Sequence, residues 1–268
     1  VYKRQEMNRA VDKVQIRKCR EKECTETLDI VVVEEPMEIR IGFGPRDNRK
    51  QRNLAVTMRT PGNDFELAVG FLRSERIINT YSDIAHISCC TDVKGGENIV
   101  RVELIPELVV ETGLNENRFL SSSSCGICGK ENIESLMLEL TIPGNGIAIN
   151  HKVLKKIGTT FRQGQTVFEH TGGTHAAGLF DLDGNMKIIR EDVGRHNAVD
   201  KVIGATMASK NNNLDDKIMM VSGRIGFELV QKCMIAGIPG MVAIGAPTNL
   251  AVNCLLYTSP SPRDSMTS

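Results

Sequence analysis

No surplus of charge marks this chain. Lys and Arg total 33, Asp and Glu also total 33, and the formal net charge over 268 residues is zero. That balance argues against broad electrostatic attraction to nucleic acid or to an anionic membrane, while leaving room for a local basic pocket. Long apolar runs are missing too. No stretch of 18 apolar residues exists and no h-region stands near the N-terminus, so the chain reads as cytoplasmic, with no membrane association. Internal repeats and low-complexity linkers are absent. With 41% apolar and 25% charged residues, the composition is that of an ordinary globular protein with a well-buried core.

Two chemistries lack the residues they need. A structural zinc site usually takes two spaced ligand pairs, and Cys125/Cys128 has no matching second pair, because Cys89 and Cys90 are adjacent. A zinc deaminase needs His-x-Glu followed by Pro-Cys-x-x-Cys. Here His175 is followed by Ala176 and Ala177, and the Cys pair precedes the histidine without a proline. No protein-ligated metal is expected. The eight cysteines are irregularly spaced and no export signal accompanies them, so reduced thiols are expected. Cys19, Cys24, Cys89, Cys90 and Cys233 read as small buried or incidental residues.

The ends carry little pattern. Residues 1–27 form an uncertain segment whose first five residues look foreign. The run from Leu255 to Asp264 resembles translated sequencing-adapter sequence, so 253–268 is expected to be a foreign tail in place of the true C-terminus.

What is present begins with a β-rich N-terminal subdomain, residues 28–120. Leu28 to Ile41 reads as strand, acidic-proline break, strand, and Leu54 to Arg59 as a further strand. After the Pro61-Gly62-Asn63 turn, Asn63 and Glu66 have capping-box spacing. Phe65, Ala68, Val69 and Leu72 then make one helical face. Ile84 to Cys90 and Ile99 to Ile105 read as strands joined around Gly95-Gly96, with Val100, Val102 and Leu104 facing inward.

A loop at 121–130 separates this half from an α/β core at 131–252. Ile133, Leu136, Met137 and Leu140 have helical spacing, and Asn150 can cap a helix carrying Val153, Leu154, Ile157 and Phe161. His175 to Phe180 and Lys187 to Ile189 should pair through the Asp183-Gly184 turn. Ala198, Val199, Val202 and Ile203 mark another helix. Lys217 to Val221, Ile225 to Ala236 and Met241 to Ile244 read as a β-α-β unit, its helix ended by Gly237.

Five clusters carry chemistry. Cys125-Gly126-Ile127-Cys128-Gly129 sits behind four serines and before Lys130 and a helix-patterned stretch. Glycines permit a tight turn, and a helix N-terminus lowers a thiol's pKa and makes it a nucleophile. Sulfur carriage, disulfide exchange and metal binding all use such a loop. Ser222-Gly223-Arg224 lies where a buried strand enters a helix, and offers N–H groups, a hydroxyl and a guanidinium to an anion. Gly245-Ala246-Pro247-Thr248 follows the neighbouring strand, at the sheet edge where α/β folds place ligands. Arg190 to Lys201 crowds charge at a strand–helix junction, and His170-Thr171-Gly172-Gly173-Thr174-His175 is a glycine turn before a strand.

Taken in order, Cys125 to Gly129, Thr171 to Ala177, Glu191 to Lys201 and Ser222 to Arg224 resemble the FdhD family, sulfurtransferases that assist formate dehydrogenase maturation. The resemblance runs from about Leu28 to Val252. It implies a cytidine-deaminase-like α/β core without deaminase chemistry. It also implies sulfur transfer from a cysteine desulfurase to a molybdenum (or tungsten) bis-guanine-dinucleotide cofactor, for formate dehydrogenase, by a protein that is a possible homodimer. Carried over, Cys125 is the persulfide carrier and Cys128 its neighbour. Cofactor phosphates fall to Ser222, Gly223 and Arg224, beside Ala246, Pro247 and Thr248. His175, Asp192, Arg195, His196 and Asn197 are expected to line the same cavity. A thiol–disulfide oxidoreductase and a non-catalytic cofactor-binding chaperone are the alternative readings.

Overall fold

The computed structural model describes residues 10–20, 23–90, 98–110, 147–209 and 213–258. The cysteine loop with Cys125 and Cys128, the Ile133 to Leu140 pattern and the Gly95-Gly96 turn lie outside the described residues.

The chain starts with an antiparallel hairpin of β1 (Val11–Arg20) and β2 (Glu23–Val32), in continuous register from Val11↔Val32 to Arg20↔Glu23. That register sets Cys19 directly opposite Cys24, with the Cα atoms 4.1 Å apart, and the two form a disulfide. The expectation of reduced, incidental thiols is therefore corrected at this pair. Both residues are exposed, and strand pairing brings their sulfurs together. Cys90 and Cys233 are free thiols.

A four-stranded sheet follows, in the order β4-β3-β6-β5, from β3 (Glu35–Phe43), β4 (Lys50–Arg59), β5 (Ile84–Cys89) and β6 (Ile99–Leu104). Alternation on β6 works as its sequence requires, since Val100, Val102 and Leu104 are fully buried. They meet Met37, Ile39, Ile41 and Leu54 under α1 (Asp64–Ser74), which buries Leu67, Ala68, Val69 and Leu72 on that face. Phe65 departs from the expected face and is exposed. The capping box does not form either. Asn63 is left-handed at φ 59 and makes no side-chain cap bond, while Glu66 accepts two hydrogen bonds from Arg190 at 2.6 and 2.8 Å.

A second four-stranded sheet has the order β10-β9-β7-β8. Asn150 accepts from Lys152 N and caps α2 (His151–Gly164), whose Ile157 and Phe161 pack on the sheet's outer face. Next come α3 (Thr166–Thr171) and the hairpin of β7 (His175–Asp181) and β8 (Met186–Asp192), which turns through Gly184 at φ 75. The inner face is covered by α4 (Arg195–Met207) and by α5 (Phe227–Ala236), the latter linking β9 (Lys217–Val221) to the parallel β10 (Gly240–Ala243). A final helix, α6 (Asn249–Thr258), buries Ala251 and Cys254 against Phe227, Val230 and Met234.

The two sheets enclose α1 and α4, which cross almost backbone to backbone. A Cβ on Gly70 would stand 1.8 Å from the Asp200 carbonyl oxygen, and one on Gly204 would stand 1.9 Å from that of Glu66. Only hydrogen fits at either position. The architecture is mixed α/β. No helix among the described residues is long and apolar enough to cross a membrane.

Candidate functional site: a cationic turn at the sheet edge

The β9–α5 and β10–α6 turns lie side by side because their strands are parallel neighbours. Gly245 N donates to Gly223 O at 3.3 Å, Thr248 N donates to Ile225 O at 2.9 Å, and Ile225 bridges Pro247. Gly245 permits this approach, since a Cβ there would meet Gly223 backbone atoms at 2.8 Å. Ser222 pins the pair to β7: its N–H donates to Ala176 O at 3.0 Å and its Oγ accepts from Ala176 N at 2.9 Å. The Ser222 hydroxyl is thus occupied within the fold. Ala246, Pro247 and Thr248 are exposed beside it.

Gly223 is flanked by the side chains of His175 and Arg195. A Cβ there would stand 3.4 Å from His175 Nδ1 and 3.7 Å from Arg195 Cδ. Arg224 is exposed, and among the described residues neither Arg195 nor Arg224 pairs with a carboxylate. Burial pushes the His175 ring below the usual imidazole range, the Arg195 charge and His196 add to this, and Asp192 opposes it. A neutral imidazole beside unpaired guanidinium groups is a receptive surface for an anion.

Asp192 and Asn197 have a different station. Asp192 is fully buried and forms an ion pair with Lys201 at 2.7 Å. It also accepts from Thr60 N at 3.2 Å, Gly194 N at 2.8 Å and Asn197 Nδ2 at 3.0 Å. Asn197 in addition donates to Met58 O at 2.8 Å and accepts from Thr57 Oγ1 at 3.2 Å. Both side chains therefore spend their hydrogen bonds on the junction with the N-terminal half, one layer behind Arg195. His196 has its Nε2 buried without a hydrogen-bond partner among the described residues, 3.8 Å from Glu228 Oε2.

Sequence reasoning did not single out Thr60 or Glu228. Thr60 Oγ1 also accepts from Val193 N at 3.0 Å, and the Thr60 carbonyl accepts from Lys201 Nζ at 2.9 Å. These contacts span more than 130 residues, so no local pattern announces them. Glu191 is structural: its carboxylate takes the N–H groups of Val167 and Phe168 at 2.8 Å each and so caps α3. Among the described residues, no group of three or more His, Cys, Asp or Glu side chains could hold a metal ion.

Residues 32–254, which include the whole of this site, match the model of the FdhD/NarQ family. The chain belongs to the FdhD/NarQ family. A relative named sulfur carrier protein FdhD, from Nocardia farcinica, is 42% identical over 231 residues, covering 84% of this chain and 78% of that one. Another of the same name, from Streptomyces coelicolor, is 37% identical over 259 residues, covering 94% and 89%. A solved structure described as a formate dehydrogenase accessory protein from Desulfotalea psychrophila shares the fold with a TM-score of 0.68. That likeness covers 93% of this chain and 90% of that one at 20% identity.

Proposed function

We propose that this protein is a sulfurtransferase that carries sulfur from a cysteine desulfurase to a guanine-nucleotide-bearing molybdenum (or tungsten) cofactor, in support of formate dehydrogenase. The names of its relatives support the sulfur-carrying part. The carrying observation for the acceptor is the pair of guanidinium groups, Arg195 and Arg224, which make no salt bridge among the described residues and lie around the glycine turns at the carboxyl end of the β9–β10 pair. Those groups fit the phosphates of a guanine nucleotide. Arg224 offers a bidentate donor fork at the sheet edge where α/β folds place ligands. The acceptor is a substrate, and the metal is its own.

In the loading step the Cys125 thiolate attacks the outer sulfur of the desulfurase persulfide. The donor's S–S bond breaks, its cysteine leaves as thiolate, and Cys125 becomes the persulfide, with Cys128 beside it in the Cys-x-x-Cys loop. No net oxidation occurs. We read the β7 to β10 layer, with its β9–α5–β10 crossover and helices on both faces, as a cytidine-deaminase-like core. The protein works in the cytoplasm, as a homodimer.

The two halves of the reading separate in one crossed experiment. Cys125→Ala should abolish gain of a sulfur atom from desulfurase and cysteine, measured by intact mass, while GDP binding persists. Arg224→Ala should load sulfur normally but bind GDP about ten- to a hundredfold more weakly, the worth of a charge-assisted hydrogen bond. Sulfur loading without Cys125 would refute the carrier assignment.

A further inference from the structure

Glu228 is out of place in an anion site. It lies in the first turn of α5, next to Arg195 and His196, where a carboxylate repels the very ligand the arginines attract. A helix start tolerates the charge but gives no reason for it here. The reason lies in His196. Its Nε2 is shut off from water with no hydrogen-bond partner among the described residues, an uncommon state for a buried polar nitrogen. The Glu228 carboxylate oxygen is 3.8 Å away, and the two side chains are 12% and 16% exposed. A small movement would close that gap to a hydrogen bond. The carboxylate can take this position because residue 226 is glycine, whose missing Cβ would stand 2.9 Å from Glu228 Oε2. The ring already acts on the acid. His196 holds the Glu228 carboxyl below the usual carboxylate range, helped by the residue's own N–H and by Arg195, and outweighing burial.

We propose that Glu228 is a positioning residue of the anion site, its carboxylate taking the Nε2–H of His196 and so fixing the imidazole beside Arg195 and the Gly223 turn. The inference rests on the anion-binding reading above and extends it to a residue that does not touch the ligand. Its two side chains come from different helices, α4 and α5. The contact therefore also sets how closely the two helix starts approach around the turn.

Calorimetric titration with GDP tests this on the unaltered chain and five variants. Glu228→Gln removes the repelling charge but keeps the shape. If Glu228 merely repels the anion, affinity rises; if it positions His196, affinity falls, by about tenfold for a lost charge-assisted hydrogen bond. Glu228→Asp, which keeps the carboxylate, should recover most of that loss. In a His196→Gln background the further change Glu228→Gln should be close to silent, because the partner it serves is gone. Unchanged or tighter binding by Glu228→Gln, or additive effects with His196→Gln, overturns the proposal. Arg224→Ala, run in the same series, separates the two levels. If it weakens binding while Glu228→Gln does not, only the role of Glu228 fails. If Arg224→Ala binds as the unaltered protein does, the anion site is misplaced and takes the proposal with it.

Discussion

Replacing Lys201 by methionine is the sharpest test of what holds the two halves of this protein together. Lys201 is 1% exposed and Asp192 fully buried, and their charges meet at 2.7 Å. The lysine also donates to the Thr60 carbonyl at 2.9 Å and reaches the Glu191 carbonyl at 3.4 Å. Methionine fills nearly the same space, so the change removes charge and hydrogen bonds while leaving little cavity. Removing one partner of a buried pair costs about 3–5 kcal/mol, because the other charge stays buried and uncompensated. Asp192 keeps three N–H donors, from Thr60, Gly194 and Asn197, which places the expected loss near the lower figure. For a chain of this size that corresponds to a fall in Tm of about 6–12 °C. Urea unfolding read by circular dichroism measures it. Lys18→Met, at the exposed Lys18–Asp29 pair with 58% and 41% exposed side chains, should cost less than about 1 kcal/mol. Adding Asp192→Asn to Lys201→Met should restore part of the loss. A cost for Lys201→Met no larger than that for Lys18→Met would refute the reasoning.

Two further outcomes follow from geometry and charge. Gly204→Ala would press a Cβ to 1.9 Å from a backbone oxygen that cannot rotate away, and should cost about 3 kcal/mol or more in the same unfolding assay. Gly158→Ala, in α2 with open space around it, should instead stabilise by about 0.5–1 kcal/mol. The His175 ring, held below its ordinary pKa mainly by burial, is neutral in the free protein near neutral pH, and a bound polyanion favours its protonation. GDP binding should therefore take up protons and tighten as pH falls from about 7.5 to 6. Titrations in two buffers of different ionisation enthalpy should give different apparent enthalpies, and identical values would count against His175 facing the ligand.

Local patterns in the sequence went far, because several elements here satisfy themselves locally. The Asp183-Gly184 turn, the alternation of Val100, Val102 and Leu104, and the β9–α5–β10 crossover with its helix ended by Gly237 are each written within one continuous stretch of chain and stand as read. So does the convergence of the Ser222 and Gly245 turns, which parallel pairing alone dictates. The failures share a cause. Glu66 has perfect spacing to serve Asn63, yet its carboxylate goes to Arg190, 124 residues away, where two charged hydrogen bonds outweigh one cap. Cys19 and Cys24 carry no recognisable motif, and their disulfide depends on a hairpin register that a charged, weakly patterned segment does not advertise. Thr60 and Glu228 are single residues on ordinary elements, meaningful only through partners brought up by the fold. No single window of sequence holds both members of such a pair.

The crossing of α1 and α4 bears on how steadily the arginines are aimed. At Gly70 and Gly204 main chain rests on main chain, with no side chain between to change rotamer. Side-chain interfaces have play, whereas two backbones in contact share one stiff seat. Arg195 and His196 begin the helix that rests in that seat. Their reach toward the Gly223 turn is thus indexed to the sheet of the opposite half, like a tool clamped to a bed. A site built this way can let its ligand-facing side chains drift in evolution while its aim holds, provided two hydrogens remain where every other residue would put a carbon.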